Sequence, residues 1–403
     1  MTSRSLASLL AVVFIYGLFS TTDARDLVFV QALWRHGDRA PLSMPYPNDP
    51  YNETAWIRGW KQLTNIGMQQ LSELGTYFRK KYGFFISSQY IPSEVYIRAS
   101  DSDRSLTSAQ SFLFGFYPAA GAFQWQTNNP WQPIPIHATT PDEPDLLIKP
   151  TATKCEKYDD EVQKEDEAQA VVYNAKYAEM FQFLGNATGI ANFSYPNVNK
   201  VYDIQRELNN GMTAKQPAWV FKNWTQYDNR STMDIITELR TYRMITQFNS
   251  TEKAKMIAGY LLNNWIQNAN QVANGTMTSP KKMLLYSSHD GTVQALMYAL
   301  GIGNDLMVPY AAALIMEIYK DADNYVVEVF YRNDTSKDPY PMALPGCGTP
   351  CTVANMTDLY SNVRLDSYAS QQALCGTPVP ECKSSTTVSY LLGIVLFIAI
   401  AAS

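Results

Sequence analysis

The sequence contains few histidines, few cysteines and few charged residues for its length. Three of its 403 residues are histidine and five are cysteine, and no two cysteines form a Cys-x-x-Cys pair. We therefore expect no zinc site, and we expect no other cofactor. Charged residues make up 17% of the chain, the formal net charge is -5, and there is no basic stripe. This charge balance argues against nucleic acid as a partner.

Hydrophobic residues, by contrast, are abundant, at 46% of the chain. A chain of this length and composition can build a large core, as one large domain or as two closely packed ones.

Both ends of the chain carry apolar runs that resemble targeting signals. Arg4 precedes an apolar run at 6–19 and then small residues, which is the layout of a secretory signal peptide over residues 1–24, with cleavage expected after Ala24. A second apolar run, 388–402, lies in a predicted membrane segment at 384–403. It is short for a spanning helix, which needs about 20 residues, so a spanning helix, a lipid-anchor signal and removal of the tail all stay open.

The pattern of sequons and cysteines also indicates the secretory pathway. Nine Asn-x-Ser/Thr sequons are present, none with proline in the middle, at Asn52, Asn186, Asn192, Asn223, Asn229, Asn249, Asn274, Asn333 and Asn355. So many sequons are typical of a glycosylated extracellular or lysosomal protein. Most cysteines should pair in such a compartment. One of the five must be left over, and Cys382 is our candidate.

The hydrophobic pattern alternates between strands and helices. Residues 26–33 are almost continuously apolar, as in a strand buried on both faces of a parallel sheet. Further strands are predicted at 95–97, 283–286, 313–319 and 325–331, and helices at 64–82, from Ser102 onward, and at 292–300. This order predicts an α/β fold with a mostly parallel central sheet flanked by helices.

The middle of the chain has a different character. Residues 118–150 are rich in proline and polar residues and predict a long surface loop, whereas 160–184, 230–248 and 252–273 predict helices. We therefore expect one domain over 25–375, with an α/β core at 25–135 and 276–345. A smaller helical insertion is expected at about 150–275.

Polar residues cluster directly after three of the predicted strands. His36 lies between Arg35 and Arg39 after the first strand, Arg104 begins a helix after the second, and His289 and Asp290 follow the third. Open α/β sheets bind ligands at the carboxyl ends of their strands. Several positive groups in one pocket repel each other unless an anion fills it. The arginine fork suits phosphate in particular.

Three motifs carry a family resemblance. Arg-His-Gly-Asp-Arg-Ala-Pro at 35–41, Ser-Asp-Ser-Asp-Arg at 100–104 and Ser-His-Asp at 288–290 occur in this order, and Leu-Pro-Gly-Cys follows at 344–347. Over about residues 26–375 the chain resembles the acid phosphatase branch of the histidine phosphatase superfamily, in particular its lysosomal and prostatic members. The resemblance implies a fold like that of phosphoglycerate mutase.

The same resemblance implies a mechanism at acid pH. His36 would attack phosphorus and form a phosphohistidine, which water would then hydrolyse. The phosphoryl oxygens would be bound by Arg35, Arg39, Arg104 and His289. Asp290 would protonate the leaving alcohol and then deprotonate the water.

The resemblance also bears on the cysteines and on oligomeric state. It implies disulfides between Cys155 and Cys375 and between Cys347 and Cys351. A third disulfide of the relatives would be missing, because this chain has Glu207 and Ala312 where both cysteines would stand. Relatives are often dimers, so a homodimer is a further expectation.

Two alternatives stay open. One is a phytase or a lysophospholipid phosphatase of the same superfamily; a phytase would need a more basic pocket, and no extra Lys/Arg cluster is visible near the motifs. The other is a non-catalytic surface glycoprotein that binds a phosphorylated ligand, which the presence of both His36 and Asp290 disfavours. The expected substrate is a small phosphomonoester or a phosphoprotein.

Overall fold

A six-stranded sheet lies at the centre of the fold in the computed structural model, which describes residues 25–141 and 143–377. Its strands are β1 (Asp26–Arg35), β2 (Val95–Ala99), β5 (Met283–Ser288), β6 (Ala313–Asp321), β7 (Asn324–Arg332) and β8 (Tyr340–Met342), and β3 (Asn223–Trp224) and β4 (Arg230–Ser231) form a separate pair. The order in the sheet is β2-β5-β1-β6-β7-β8.

The expected α/β fold, a sheet flanked by helices, is confirmed, and the sheet is mixed. Strands β2, β5 and β1 run parallel to one another. Strand β6 pairs antiparallel with β1, and β7 and β8 follow, each antiparallel to the strand before it. The antiparallel half exists because the predicted hairpin folds back on itself and pairs directly with β1. It makes the sheet less parallel than the sequence pattern indicated.

Eleven helices are present in the described part of the chain. They are α1 (Asn65–Tyr82), α2 (Asp103–Phe116), α3 (Glu156–Lys176), α4 (Ala178–Thr188), α5 (Val198–Val201), α6 (Ile204–Asn209), α7 (Thr232–Ile245), α8 (Thr251–Ala273), α9 (Asp290–Ala299), α10 (Val353–Leu359) and α11 (Tyr368–Leu374). The single helix predicted over 160–184 is in fact two helices, with a break at Tyr177.

Strand β1 is apolar along most of its length because helices cover both of its faces. Val30, Ala32 and Trp34 belong to a core that includes residues of α1 and α2, whereas Phe29 and Leu33 belong to a second core that includes residues of α8 and α9. All five side chains are inaccessible to solvent. A strand covered in this way loses the alternation of polar and apolar residues, and burial of its side chains provides most of the driving force for this layer.

A third core lies in the helical segment between β2 and β5. It is formed by buried residues at 177–239, together with Tyr46 from the loop after β1. Helix α8 packs instead in the core against the sheet. The division of the chain into an α/β core and a helical insertion stays a prediction.

The structure contains the two disulfides that the resemblance implied. Cys155 is bonded to Cys375 across 220 positions of sequence, and Cys347 is bonded to Cys351. Cys382, the signal peptide at 1–24 and the membrane segment at 384–403 lie outside the described residues. Among residues 25–141 and 143–377, no helix is both long and apolar enough to cross a membrane.

The predicted loop at 118–150 is anchored to the sheet edge by His137. Its backbone N–H donates to the carbonyl of Ile97, its own carbonyl accepts from Ala99, and its ring stacks on Tyr96 at 4.7 Å between ring centroids. The imidazole is exposed to solvent. His137 therefore has a structural role in this loop.

Candidate active site

The carboxyl ends of the three parallel strands bring the predicted site residues together. The His36 backbone N–H donates to the Ser288 carbonyl at 2.9 Å, and the Ser100 N–H donates to the Ser287 carbonyl at 3.0 Å. These bonds join the segments that follow β1, β2 and β5 at one edge of the sheet. The site therefore lies where open α/β sheets place their ligands.

His36 is buried and its tautomer is fixed. Its Nδ1 atom lies 2.8 Å from the Gly37 carbonyl oxygen, and since a carbonyl can only accept, Nδ1 carries the proton. The lone pair is then on Nε2. Burial and the positive charge of Arg35 lower the pKa of His36 well below its usual value of 6.5. The imidazole therefore stays neutral in acid, as a nucleophile must.

Glycine at position 37 lets the loop that carries His36 pack closely on α1. A Cβ atom on Gly37 would lie 2.3 Å from the Gly67 carbonyl oxygen. Next to it, the Asp38 carboxylate accepts from Thr64, the residue that caps α1, at 2.7 Å, and from Asn210 at 2.9 Å. The backbone of the loop is thus fixed by steric fit and by hydrogen bonds to two helical segments.

The three predicted arginines converge on the site with unused hydrogen-bond donors. The Nε atoms of Arg35, Arg39 and Arg104 are all buried and have no hydrogen-bond partner. Burial, helped by neighbouring guanidinium groups, lowers the pKa of Arg104 and that of Arg39, the latter to about 9. Buried donors normally have acceptors. An anion such as phosphate would supply them.

His289 lies beside His36, with 5.5 Å between the ring centroids. Its Nε2 is 2.8 Å from the Ser100 hydroxyl, and its Nδ1 is 3.4 Å from an Arg104 nitrogen. Because Arg104 can only donate, Nδ1 is the acceptor and Nε2 carries the proton. Burial and the charge of Arg104 lower the pKa of His289 to about 3, so this ring is also neutral in acid.

Asp290 begins α9 and is bound to an arginine. One carboxylate oxygen lies 3.0 Å from the Arg35 guanidinium, and the other accepts from the Gly291 N–H at 3.0 Å. Burial raises the pKa of this carboxyl group, but the charges of Arg35 and Arg240 lower the pKa by more than burial raises it. The pKa of Asp290 is therefore well below its usual range. Asp290 is therefore ionised.

Sequence reasoning missed three residues of the site. Tyr310, just before β6, stacks on the Arg35 guanidinium at 4.0 Å, and Arg206 from α6 lies 5.5 Å from the same ring. Arg240 from α7 acts electrostatically on Asp290. The absence of an extra Lys/Arg cluster near the motifs in the sequence therefore did not indicate how many arginines reach the site. These arginines are distant in sequence from the motifs, so no local pattern could have identified them.

Comparison with known proteins defines the class to which this fold and site belong. The sequence profile of the histidine phosphatase superfamily (branch 2) matches residues 26–332, and the chain therefore belongs to that superfamily.

Named relatives narrow the comparison. The chain is 32% identical to the lysosomal acid phosphatase of Xenopus laevis, covering 97% of this chain and 88% of the relative. It is 33% identical to the prostatic acid phosphatase of Bos taurus, covering 93% and 94% of the two chains. Among solved structures, the apo form of Hafnia alvei phytase has a TM-score of 0.63 at 18% identity, over 88% of this chain and 99% of that one, which shows the shared fold.

A buried pair of carboxyl groups lies close to the site, formed by Glu207 on the helix that carries Arg206 and by Asp49 from the loop after β1. Glu207 of α6 is inaccessible to solvent, and its side chain accepts a hydrogen bond from the Gln216 amide at 2.6 Å. Burial and the charge of Asp49 raise the pKa of Glu207 to about 8, and burial raises the pKa of Asp49 to about 6. The pair therefore holds one proton between about pH 6 and pH 8, and both groups are protonated at lower pH.

This pair should make the folded state more stable in acid. Because the folded pKa values exceed those of the unfolded chain, the stabilisation is complete at low pH and is lost as the pH rises through about 6 to 8. We expect Glu207→Gln, which resembles the protonated form, to reduce the loss in free energy of unfolding between pH 5 and pH 8 by about 1–3 kcal/mol. Urea unfolding at the two pH values measures it.

The matched control is Glu179→Gln, which alters an exposed carboxylate on α4 of the same helical segment. This variant should lose as much stability between the two pH values as the unaltered protein does. An identical loss in the Glu207 variant would contradict the raised pKa of Glu207.

Proposed function

We propose that this protein is an acid phosphatase that hydrolyses phosphate monoesters through a phosphohistidine on His36. The observation that carries the proposal is the state of His36: a buried, neutral imidazole with Nε2 unprotonated, surrounded by arginines with unused donors. A neutral nucleophile beside a cationic pocket is what attack on a phosphate dianion requires.

The reaction would proceed in two displacements at phosphorus. In the first, Nε2 of His36 forms a bond to phosphorus while the ester P–O bond breaks, and Asp290 gives its proton to the departing alkoxide. In the second, Asp290 takes a proton from water as the water oxygen attacks and the P–N bond breaks, which releases phosphate. Arg35, Arg39, Arg104 and His289 would stabilise the charge on the phosphoryl oxygens in both steps.

Asp290 must gain a proton before it can act as an acid, and the substrate itself assists. The Asp290 carboxylate is ionised because Arg35 and Arg240 lie near it. A bound phosphate dianion offsets those charges and removes part of the stabilisation of the carboxylate. Low pH adds to this effect, which is consistent with activity in acid.

The same proposal places the enzyme in the secretory pathway. Eight of the nine sequon asparagines are exposed in the structure and Asn333 is half-buried, so their positions are compatible with glycosylation. The similarity to lysosomal and prostatic acid phosphatases supports this location. We extend the proposal to attachment at a membrane through 384–403, with the catalytic domain on the lumenal or extracellular side.

Hydrolysis of para-nitrophenyl phosphate tests the proposed activity. We expect release of para-nitrophenol with a maximum in acid, near pH 5, and inhibition by tartrate, a dianion that can occupy the arginine pocket. Phytate, assayed in parallel, tests the phytase alternative, which a kcat/KM for phytate far above that for all small phosphomonoesters would favour. No turnover of any phosphomonoester between pH 4 and pH 8 would support a non-catalytic binding protein instead.

A further inference from the structure

The site has more positive charge from arginines than one bound phosphate group neutralises. The cluster contains Arg35, Arg39, Arg104, Arg206 and Arg240, Lys149 acts on His289 beside it, and the carboxylates that act on the cluster are Asp290, Asp203 and Asp103. Six positive charges against three negative ones leave three, and a phosphate dianion neutralises two of them. Asp38 is turned away, toward Thr64 and Asn210. One positive charge is thus left after the reacting phosphate has bound.

Arg240 has a buried guanidinium with little compensation. Its Nη1 is buried without a hydrogen-bond partner, and the contact of its Nη2 is with the Met244 sulfur at 3.8 Å, a weak acceptor. Burial lowers the pKa of its guanidinium, and the charge of Asp290 opposes that change. A buried guanidinium with an unused donor is costly unless a ligand completes it.

The position of Arg240 indicates which part of a substrate it would meet. Arg240 lies on α7, one turn before Met244. The Met244 methyl group packs next to Gly291, because a Cβ atom built on Gly291 would lie 3.9 Å from it. Gly291 follows Asp290, which would protonate the leaving oxygen. Arg240 therefore lies on the side of the pocket where the alcohol part of the ester leaves.

Arg206 approaches the pocket from another helix. Its Nε donates to Asp203 at 2.8 Å, and its guanidinium lies over the Tyr310 ring, which also contacts Arg35. Its charge acts on Arg39, Arg104 and Arg240. With one nitrogen held by Asp203, the other nitrogens of Arg206 are available to an anion.

We infer that Arg240 and Arg206 form a second anion subsite, which binds a phosphate group carried by the alcohol part of the substrate. The preferred substrates are then bisphosphorylated small molecules rather than esters of neutral alcohols. This inference rests on the proposed phosphatase function, since the subsite is defined by its position beside the reacting phosphate.

The test compares two sugar phosphates that differ by one phosphate group. At pH 5, kcat/KM for release of phosphate should be about tenfold or more higher for fructose 1,6-bisphosphate than for fructose 6-phosphate, since hydrogen bonds to charged groups contribute that much. The two scissile positions of the bisphosphate explain no more than a doubling. A ratio near two in the unaltered enzyme would overturn the inference.

Variants assign the preference to the subsite. Arg240→Gln should reduce the ratio at least about tenfold, whereas Arg240→Lys, which keeps the charge, should retain part of it. Any effect of Arg240 on Asp290 cancels in the ratio, because it applies to both substrates. Arg206→Gln, an independent variant on α6, should also reduce the ratio, and it serves as the test if the Arg240 variants do not fold.

Arg243→Gln is the matched control. Arg243 lies on the same helix, but its guanidinium already donates to both oxygens of Asp166. The ratio should be unchanged in this variant. Equal losses on both sugar phosphates in Arg240→Gln and Arg206→Gln would refute the subsite while leaving the proposed function intact. No turnover of either sugar phosphate by the unaltered enzyme would instead contradict the proposed function.

Discussion

Replacement of His36 by alanine is expected to lower kcat for para-nitrophenyl phosphate by roughly 10⁴-fold or more. The substitution removes the nucleophile. Among the described residues of the pocket, no other neutral side chain offers a free lone pair that could replace it. His289 cannot replace it, because its Nδ1 faces Arg104 and its Nε2 carries a proton directed at Ser100. The measurement is steady-state release of para-nitrophenol at pH 5.

The covalent intermediate gives a second readout. The unaltered enzyme, mixed with radiolabelled substrate and quenched, should carry a label that is stable in base and labile in acid, as expected for a phosphorus–nitrogen bond. His36→Ala should carry none. Because Arg35, Arg39 and Arg104 are intact in the variant, we expect it still to bind inorganic phosphate in calorimetry.

His137→Ala is the control that the chain offers for this experiment. His137 is an exposed histidine that stacks on Tyr96 and anchors a loop. Its replacement should leave both turnover and labelling close to those of the unaltered enzyme. A label that persists in His36→Ala would place the covalent step on another residue.

The parts of the site that could be predicted from sequence are those in which reactive or charged residues directly follow a predicted strand. An apolar run followed at once by polar residues indicates the carboxyl end of a buried strand. This pattern located Arg35 at the end of β1, His36 directly after it and His289 after β5, and both segments do lie at one edge of the sheet. The cap of α1 at Thr64 was equally local and equally visible.

Other parts depend on contacts between distant segments, which a sequence pattern does not contain. Arg206 and Arg240 reach the pocket from α6 and α7, more than 100 positions after the Arg-His-Gly motif. The helix break at Tyr177 has no glycine or proline to mark it in the sequence. The Tyr177 ring is instead buried in the helical core, a tertiary contact that the local sequence does not contain. Tertiary packing overrides helix propensity there.

Replacement of Asp290 by asparagine is expected to have an effect that depends on the leaving group. An alkyl phosphate, whose alkoxide leaves poorly without a proton, should lose roughly 10²–10⁴-fold in kcat. The para-nitrophenyl ester should lose far less, because its phenolate leaves without assistance. Parallel assays of glycerol phosphate and para-nitrophenyl phosphate at pH 5 measure the difference.

The structure supplies a competing role for Asp290, and the same experiment separates the two. Its carboxylate lies 3.0 Å from Arg35, so asparagine also removes an ion pair that positions a phosphate-binding group. Loss of that positioning would slow both esters by the same factor and weaken the binding of inorganic phosphate. Proton donation predicts unequal losses with phosphate affinity maintained or increased, since one negative charge has left the pocket. Equal losses would therefore assign Asp290 to the positioning of Arg35 and require another proton donor for alkyl esters.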